Sequence, residues 1–462
     1  MNRLLGGSLL LFCIAGTWTL GCSSSKAPAT SNSTSGGSTS VGGNSTSGGS
    51  ESSVGGNTTS GGDTSTEVDT TPHDTTLRTV TPDDTAHLLY SGRMDFTDPT
   101  RPVYAAPGAS VTAKFTGVSI SVMFQDAMRG QNYYDVIVDG TQTFLIQPLS
   151  GKTKYDVVPN AAQNIPPLDY KEHTVVFVKR TETSQGSVTF LGFEFGGPPS
   201  PAPARPTRKL EIIGDSITAG SGVEPGLNQV NCNTASGNAA QNAYLTYGAE
   251  LARNLNAEWY ITAAGGRGVF ENYECGSADT LPAGYDHMNQ RDLTSPLWDH
   301  TKYVPDAIII DLGTNDFSPD NCDKPPISPA CDPVKYQSLI SAFEAFVTKL
   351  RGYYGSAHIF LTSSPMLTDD WPGPAVVGDA GSPCPYTSRT SQISAITSVV
   401  KYFNDAGDAK VHLVDTIPKG RGFGCGTHPN VSEQLEIGGT PDSYNASPTN
   451  MLLTPVKTAI GW

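Results

Sequence analysis

Three short segments place residues of complementary chemistry just behind apolar runs. Ser216 follows Leu210-Glu211-Ile212-Ile213-Gly214-Asp215, and Asn315 follows Ala307-Ile308-Ile309-Ile310-Asp311-Leu312-Gly313-Thr314. His428 stands in His428-Pro429-Asn430, a little beyond Val411-His412-Leu413-Val414-Asp415. A serine hydroxyl attacks only if a base takes its proton, and histidine suits that task near neutral pH. Charge then grows on an acyl oxygen and needs donors, which an amide side chain and backbone N–H groups supply. Ala264-Gly265-Gly266-Arg267-Gly268 offers bare N–H groups of that kind and lacks the spacing of a phosphate loop. Taken singly, the same residues have plainer readings. Ser216 suits a helix N-cap, and Asp215 suits a turn acceptor better than a catalytic acid. His358 and His412 read as core or strand-end residues, and His287 and His300 lie in a polar loop. With no His-x-x-x-His or Cys-x-x-Cys spacing, neither a metal site nor a cofactor is expected.

The elements that must hold these residues alternate in type. Strands are expected at Leu210 to Ile213, Trp259 to Ala263, Ala307 to Ile310, His358 to Leu361 and Val411 to Val414. Helices are expected at Ala243 to Asn256, Val334 to Leu350 and Thr390 to Phe403. Apolar strands alternating with helices give a parallel sheet covered on both faces. Sites then belong in the loops at the carboxyl ends of the strands. Upstream, residues 81–197 alternate apolar and polar at Val111 to Thr116, Val118 to Phe124, Tyr134 to Gly140, Thr174 to Arg180 and Ser187 to Phe193. That pattern predicts an antiparallel β-sandwich. Its aromatic residues are expected in its core, and standing alone it could serve as a carbohydrate-binding module. Residues 198–207 are proline-rich and read as a stiff linker or a packed connector before a catalytic domain spanning 208–462.

The N-terminal region has a different composition. Residues 1–22 read as a secretory signal, with a short positive start and an interrupted apolar stretch. Thr19-Leu20-Gly21-Cys22 resembles a bacterial lipoprotein signal, with Cys22 acylated, although Thr19 departs from the usual Leu. Simple secretion is the alternative. Residues 23–80 form a Ser/Thr/Gly-rich tether; a coil of about 45 residues spans roughly 35–40 Å. An exported chain at the outer membrane or cell surface, held there through a lipid anchor only, is the expectation. The net charge of −15 in 462 residues argues against nucleic acid as a partner. Six cysteines follow the signal: Cys232, Cys275, Cys322, Cys331, Cys384 and Cys425. An even number in an exported chain favours three disulfides, and the expected pairs are Cys232–Cys275, Cys322–Cys331 and Cys384–Cys425.

In combination, Gly214-Asp215-Ser216, a glycine of the second loop, Gly313-Thr314-Asn315-Asp316 and His428-Pro429 resemble the four blocks of the SGNH (GDSL-type) hydrolases. Asn132-Tyr133-Tyr134, Val136 to Gly140, His173-Thr174-Val175 and Lys179-Arg180-Thr181-Glu182 resemble the partner domain of carbohydrate esterase family 2. The resemblance covers about residues 88–430. It implies a jelly-roll-like β-sandwich beside an α/β SGNH domain. It also implies a carbohydrate O-acetyl esterase that removes acetyl groups from plant polysaccharides such as xylan and glucomannan. A monomer is expected. Ser216 would be the nucleophile and His428 the base. Ser216 N–H, Gly266 and Asn315 would form the oxyanion hole, Gly265 being the adjacent alternative to Gly266. SGNH enzymes usually carry Asp three residues before the histidine, and Cys425 stands there. The family includes Ser–His dyads whose histidine is held by a backbone carbonyl. A carbonyl within Phe423 to Thr427 is therefore expected to orient His428, with Asp415 as the competing side chain. Another SGNH esterase or lipase, or a non-catalytic glycan-binding lipoprotein, remains open at this point. If the cysteines pair as expected, Cys425 in oxidised, exported protein resists alkylation until it is reduced. Mass spectrometry of its peptide before and after reduction measures this, and a free Cys425 thiol would contradict the pairing.

Overall fold

The computed structural model describes residues 72–127, 131–225, 235–273, 276–317, 333–369, 388–416, 418–420, 422–440 and 452–462. The signal, Cys22, nearly all of the tether, and Cys232, Cys275, Cys322, Cys331 and Cys384 lie outside these residues.

The alternating segments fold into two antiparallel sheets. One has strands Leu77–Val80, Val188–Gly196, Ile120–Asp126 and Lys154–Val158 in that order, with Val103–Tyr104 on the edge of Val188–Gly196. The other runs Pro199–Ser200, Ser110–Gly117, Lys171–Lys179, Tyr134–Val138, Gln142–Ile146, with Leu88–Ser91 on Ser110–Gly117. Period two decides what is buried: Val111, Ala113 and Phe115 point inward while Thr112, Lys114 and Thr116 are partly exposed. The aromatic residues fill the space between the sheets, with Phe115 stacked on Phe195 at 4.3 Å and the Phe124 ring tilted against Phe177 at 5.0 Å. The proline-rich segment proves to be a packed connector, since Pro199 and Ser200 pair with Phe115 and Lys114.

The C-terminal half carries the parallel sheet. Its strands lie in the order Ala257–Ala263, Arg208–Gly214, Ala307–Asp311, His358–Thr362, Val411–Val414. The chain starts on Arg208–Gly214, crosses to one neighbour, then returns to the other side at Ala307–Asp311. Such a reversal leaves a crevice at the carboxyl ends of those two strands. Ser216 and Asn315 are the residues just beyond them. Helices Pro333–Tyr353 and Ser388–Asp405 cover one face, burying Leu339, Phe343, Ala395 and Val399. Helix Leu453–Ile460 buries Val456 on the other, with Tyr247 and Leu251.

The expected helix from Ala243 to Asn256 is broken in two. A 3-10 turn covers Ala243–Leu245, Thr246 is extended, and the helix proper is Tyr247–Asn254. The cause is local. Asn242 caps the first turn through Tyr244 N–H, and Thr246 Oγ donates back to the Ala243 carbonyl at 2.9 Å. The Ala243 N–H itself is taken by the Arg180 carbonyl of the sandwich at 2.9 Å.

That contact belongs to a seam built on buried arginines. Arg180, on the sandwich, holds both oxygens of Asp135 (2.9 and 3.1 Å) and reaches across to Glu224 and the carbonyls of Gln241 (3.1 Å) and Ala239 (3.2 Å). Arg93 passes the other way, pairing with Glu211 on the first parallel strand at 2.9 Å and donating to the Tyr285 carbonyl. Both arginines are almost wholly buried. Removing one partner of such a pair leaves a buried charge uncompensated, at a cost of about 3–5 kcal/mol. Arg180→Ala is therefore expected to lower the urea midpoint far more than Lys401→Ala, whose ion pair with Asp405 has both side chains exposed. Equal shifts for the two variants would contradict this account.

Candidate active site

The first strand ends at Gly214, and Asp215 caps the short helix Ser216–Ala219 by accepting the Ile217 N–H at 2.9 Å. This sets Ser216 at the crevice. His428 arrives on the loop after the last strand, with Nε2 2.8 Å from Ser216 Oγ. Its Nδ1 lies 3.2 Å from the Cys425 carbonyl. A carbonyl only accepts, so Nδ1 carries the ring proton and Nε2 offers its lone pair to the serine hydroxyl. Asp415 is engaged elsewhere, by Arg389 and by Ser363 Oγ at 2.8 Å.

Main-chain packing holds this carbonyl. Cys425 N–H donates to Gly222 O at 2.9 Å, and a Cβ on Gly222 would stand 2.2 Å from Cys425 O. Only glycine allows the approach. Beyond His428, Asn430 and Glu433 form a capping box on helix Val431–Gly438, and Glu433 also accepts the Phe423 N–H at 3.0 Å. The histidine loop is thereby tied at both ends. The expected partner of Cys425, Cys384, lies outside the described residues. Burial lowers the His428 pKa, and the carbonyls of Cys425 and Gly426 and the charge of Glu182 act against that.

Asn315 follows the third strand. Its side-chain nitrogen donates to Asp215 Oδ2 (3.1 Å) and to Arg267 O (3.0 Å). Burial pushes Asp215 up to about 7. Neighbouring Asp311 is raised too, by burial and by the charge of Asp215. Asp316 accepts N–H groups from Val269, Phe270 and Glu271, which fastens the glycine-bearing second loop to the third. Gly265 and Gly266 come to the cleft from that loop. Gly265 N–H is already donated, to Glu182 Oε2 at 2.7 Å, whereas Gly266 N–H meets no acceptor among the described residues.

Ser216, Gly266, Asn315 and His428 line one cleft of about 460 Å³, together with Tyr273, Met366 and Glu182. Sequence reasoning singled out the first four. It gave no site role to Glu182, which comes from the sandwich; the signals were the partner-domain resemblance of Lys179 to Glu182 and the polar end this run puts on an otherwise alternating strand. A larger cleft, about 660 Å³, lies on the sandwich between its edge strands and holds no nucleophile–base pair. Two other histidines pair with each other, His358 Nδ1 lying 3.0 Å from His412 Nε2. Among the described residues no group of three or more His, Cys, Asp or Glu is placed to hold a metal.

Residues 90–203 match the family described as carbohydrate esterase 2 N-terminal, and residues 212–432 match the GDSL-like lipase/acylhydrolase family. A family two carbohydrate esterase from Clostridium thermocellum, solved in complex with cellohexaose, is 30% identical. That match has a TM-score of 0.64 and covers 81% of this chain and 99% of that one. The family two enzyme from Cellvibrio japonicus shares the fold, with a TM-score of 0.65 over 84% of this chain and 99% of that one at 23% identity. The cellulase/esterase CelE of Acetivibrio thermocellus is 33% identical over 390 residues, which are 83% of this chain. The match spans 41% of that relative's length. An acetylxylan esterase / glucomannan deacetylase of Cellvibrio japonicus is 28% identical over 286 residues, 62% of this chain and 73% of that protein.

The geometry makes a serine-directed reagent informative. A fluorophosphonate is expected to label Ser216, and the labelling rate follows neutral His428. The rate should therefore rise with pH through a midpoint below the ordinary histidine value of about 6.5 and fall away beneath it. A midpoint above that value, or labelling that survives Ser216→Ala, would contradict the arrangement.

Proposed function

The chain belongs to the family two carbohydrate esterases, and on that premise we propose that it hydrolyses acetate esters on plant cell-wall polysaccharides such as xylan and glucomannan. The observation that carries this reading is the hydrogen-bonded pair of Ser216 and His428 in a cleft beside Asn315 and Gly266. Support for the substrate class comes from the Clostridium thermocellum structure with cellohexaose and from the relative named acetylxylan esterase / glucomannan deacetylase.

In this reading Ser216 Oγ attacks the acetyl carbonyl carbon while its proton passes to His428 Nε2. Three donors face the resulting oxyanion: the N–H groups of Ser216 and Gly266 and the side-chain amide of Asn315. Since Asn315 already serves Asp215 and Arg267 O, the oxyanion shares or displaces one of those bonds. The bond to the sugar oxygen then breaks, and His428 returns its proton to that oxygen. Water attacks the acetyl-enzyme, gives a proton to His428, and acetate leaves as Ser216 regains its hydrogen. The Cys425 carbonyl orients the ring through both steps, so a dyad suffices. No metal or organic cofactor enters the scheme.

The remaining sequence readings fit an exported enzyme. Residues 1–22 are proposed as a signal, Cys22 as a lipid anchor and Cys384 as the disulfide partner of Cys425. The folded part is proposed to act as a monomer. None of the described helices is long and apolar enough to cross a membrane.

Acetate release from acetylated xylan and acetylated glucomannan tests the reading. Ser216→Ala and His428→Ala are each expected to lower turnover by at least about 10³-fold. Asp415→Asn, whose partners are Arg389 and Ser363 rather than the ring, should keep turnover within about threefold. A loss in Asp415→Asn as deep as that in His428→Ala would overturn the dyad. No release by the native chain would point to another acyl substrate or to a binding protein.

A further inference from the structure

The oxyanion side of the cleft is gripped from two directions. Gly265 N–H donates to Glu182 Oε2 at 2.7 Å, and the Gly265 carbonyl accepts from the Arg291 guanidinium. Glu182 belongs to the sandwich, Arg291 to a loop between the second and third parallel strands. A trans peptide is planar, with its C=O and N–H pointing in opposite directions. The carbonyl that Arg291 holds shares its peptide plane with the Gly266 N–H. Fixing one end of that plane fixes the direction of the other.

Glu182 is placed for this by buried polar groups. Lys179, fully buried, donates to the carbonyls of Thr181 (2.6 Å) and Glu182 (2.8 Å). Glu182 N–H donates to Gln241 Oε1 at 2.9 Å, and Ser184 Oγ donates to Glu182 Oε1. The approach also demands glycine on the other side, since a Cβ on Gly265 would stand 2.4 Å from Glu182 Oε2. With Gly265 N–H consumed, Gly266 is the glycine of the pair left with an N–H to give.

We propose that Glu182 and Arg291 are positioning residues that clamp Gly265 through the two peptides that flank it, so that the Gly266 N–H is held ready for the oxyanion. This rests on the esterase reading above. Neither residue touches the reacting atoms; Glu182 holds the N–H of the Ala264–Gly265 peptide and Arg291 the carbonyl of the Gly265–Gly266 peptide. Glu182 has a second effect through its charge. The titratable groups around His428 are Asp215 from the serine turn, Tyr273 from the second loop, Glu433 from the following helix and Glu182 from the sandwich. Of these, the charge of Glu182 is the one that raises the imidazole.

Steady-state kinetics on acetylated xylan, with a pH profile of kcat/KM, separate the clamp from mere structural support. Glu182→Ala and Arg291→Ala are expected to lower kcat roughly 10- to 100-fold while KM moves less than about twofold, because the lost bond forms only as the oxyanion develops. Glu182→Gln keeps an oxygen that accepts from Gly265 N–H, so it should recover most of that loss. Its acid limb should move to lower pH, since the charge favouring protonated His428 is gone. Arg291→Lys should recover part of the loss. The clamp is overturned if kcat holds while KM rises, if both alanine variants match the native chain, or if Glu182→Gln is as impaired as Glu182→Ala. If an alanine variant does not fold, the Arg291→Lys kcat decides in its place, and a native value there overturns the clamp; an unmoved Glu182→Gln acid limb overturns the charge effect. Absence of acetate release by the native chain would instead remove the esterase reading itself.

Discussion

The structure depends on keeping two guanidinium groups out of water. A buried charge survives only if its donors find partners nearby, and neither half of the chain alone supplies enough of them. Arg180 takes Asp135 from its own sandwich, then Glu224 and two carbonyls from the other side. Arg93 takes Glu211 from the middle of a parallel strand. These pairings make the seam specific. A purely apolar face tolerates sliding, but a fork of donors matched to fixed acceptors does not. Residues 180–182 are anchored by the seam, and the active-site wall is anchored by residues 180–182.

On the other side of the cleft, main-chain geometry does what a carboxylate does in the Ser-His-Asp arrangement. The third member of a triad sets the tautomer and the angle of the imidazole. In the proposed dyad a peptide carbonyl would meet both demands, helped by the close approach of Gly222 and the capping box that follows. Two acidic residues of the serine and amide loops hold structure. Asp215 caps a helix and receives Asn315, and Asp316 fastens the second loop to the third. Carboxyl groups beside a nucleophile are easily read as its partners; the distances assign them to the backbone.

The parallel sheet was legible because fully buried strands write themselves as apolar runs, and all five are found where those runs lie. The serine and the amide were legible because each closely follows such a run, and the histidine because it stands in the loop beyond the last one. Less legible were the short edge strands of the sandwich, such as Gln142–Ile146, which are half exposed and carry weak alternation. The helix after Asn242 was misjudged as continuous because capping by Asn242 and Thr246 competes with helical bonding, and periodicity does not report that. Glu182 was least legible of all. Its role depends on which loop of a separate sheet lands beside it, and no spacing along the chain records such a meeting.

The seam also bears on how such a protein is inherited. Joining the α/β half to a new neighbour would leave Glu211 buried without Arg93 and Gly265 without Glu182. A catalytic module freed from its sandwich would therefore need several changes at once to regain its footing. The two halves form a single cassette, to be moved, fused or duplicated whole. The match to CelE, which takes in 83% of this chain but only 41% of that longer relative, has the extent expected of such a cassette set within a larger protein.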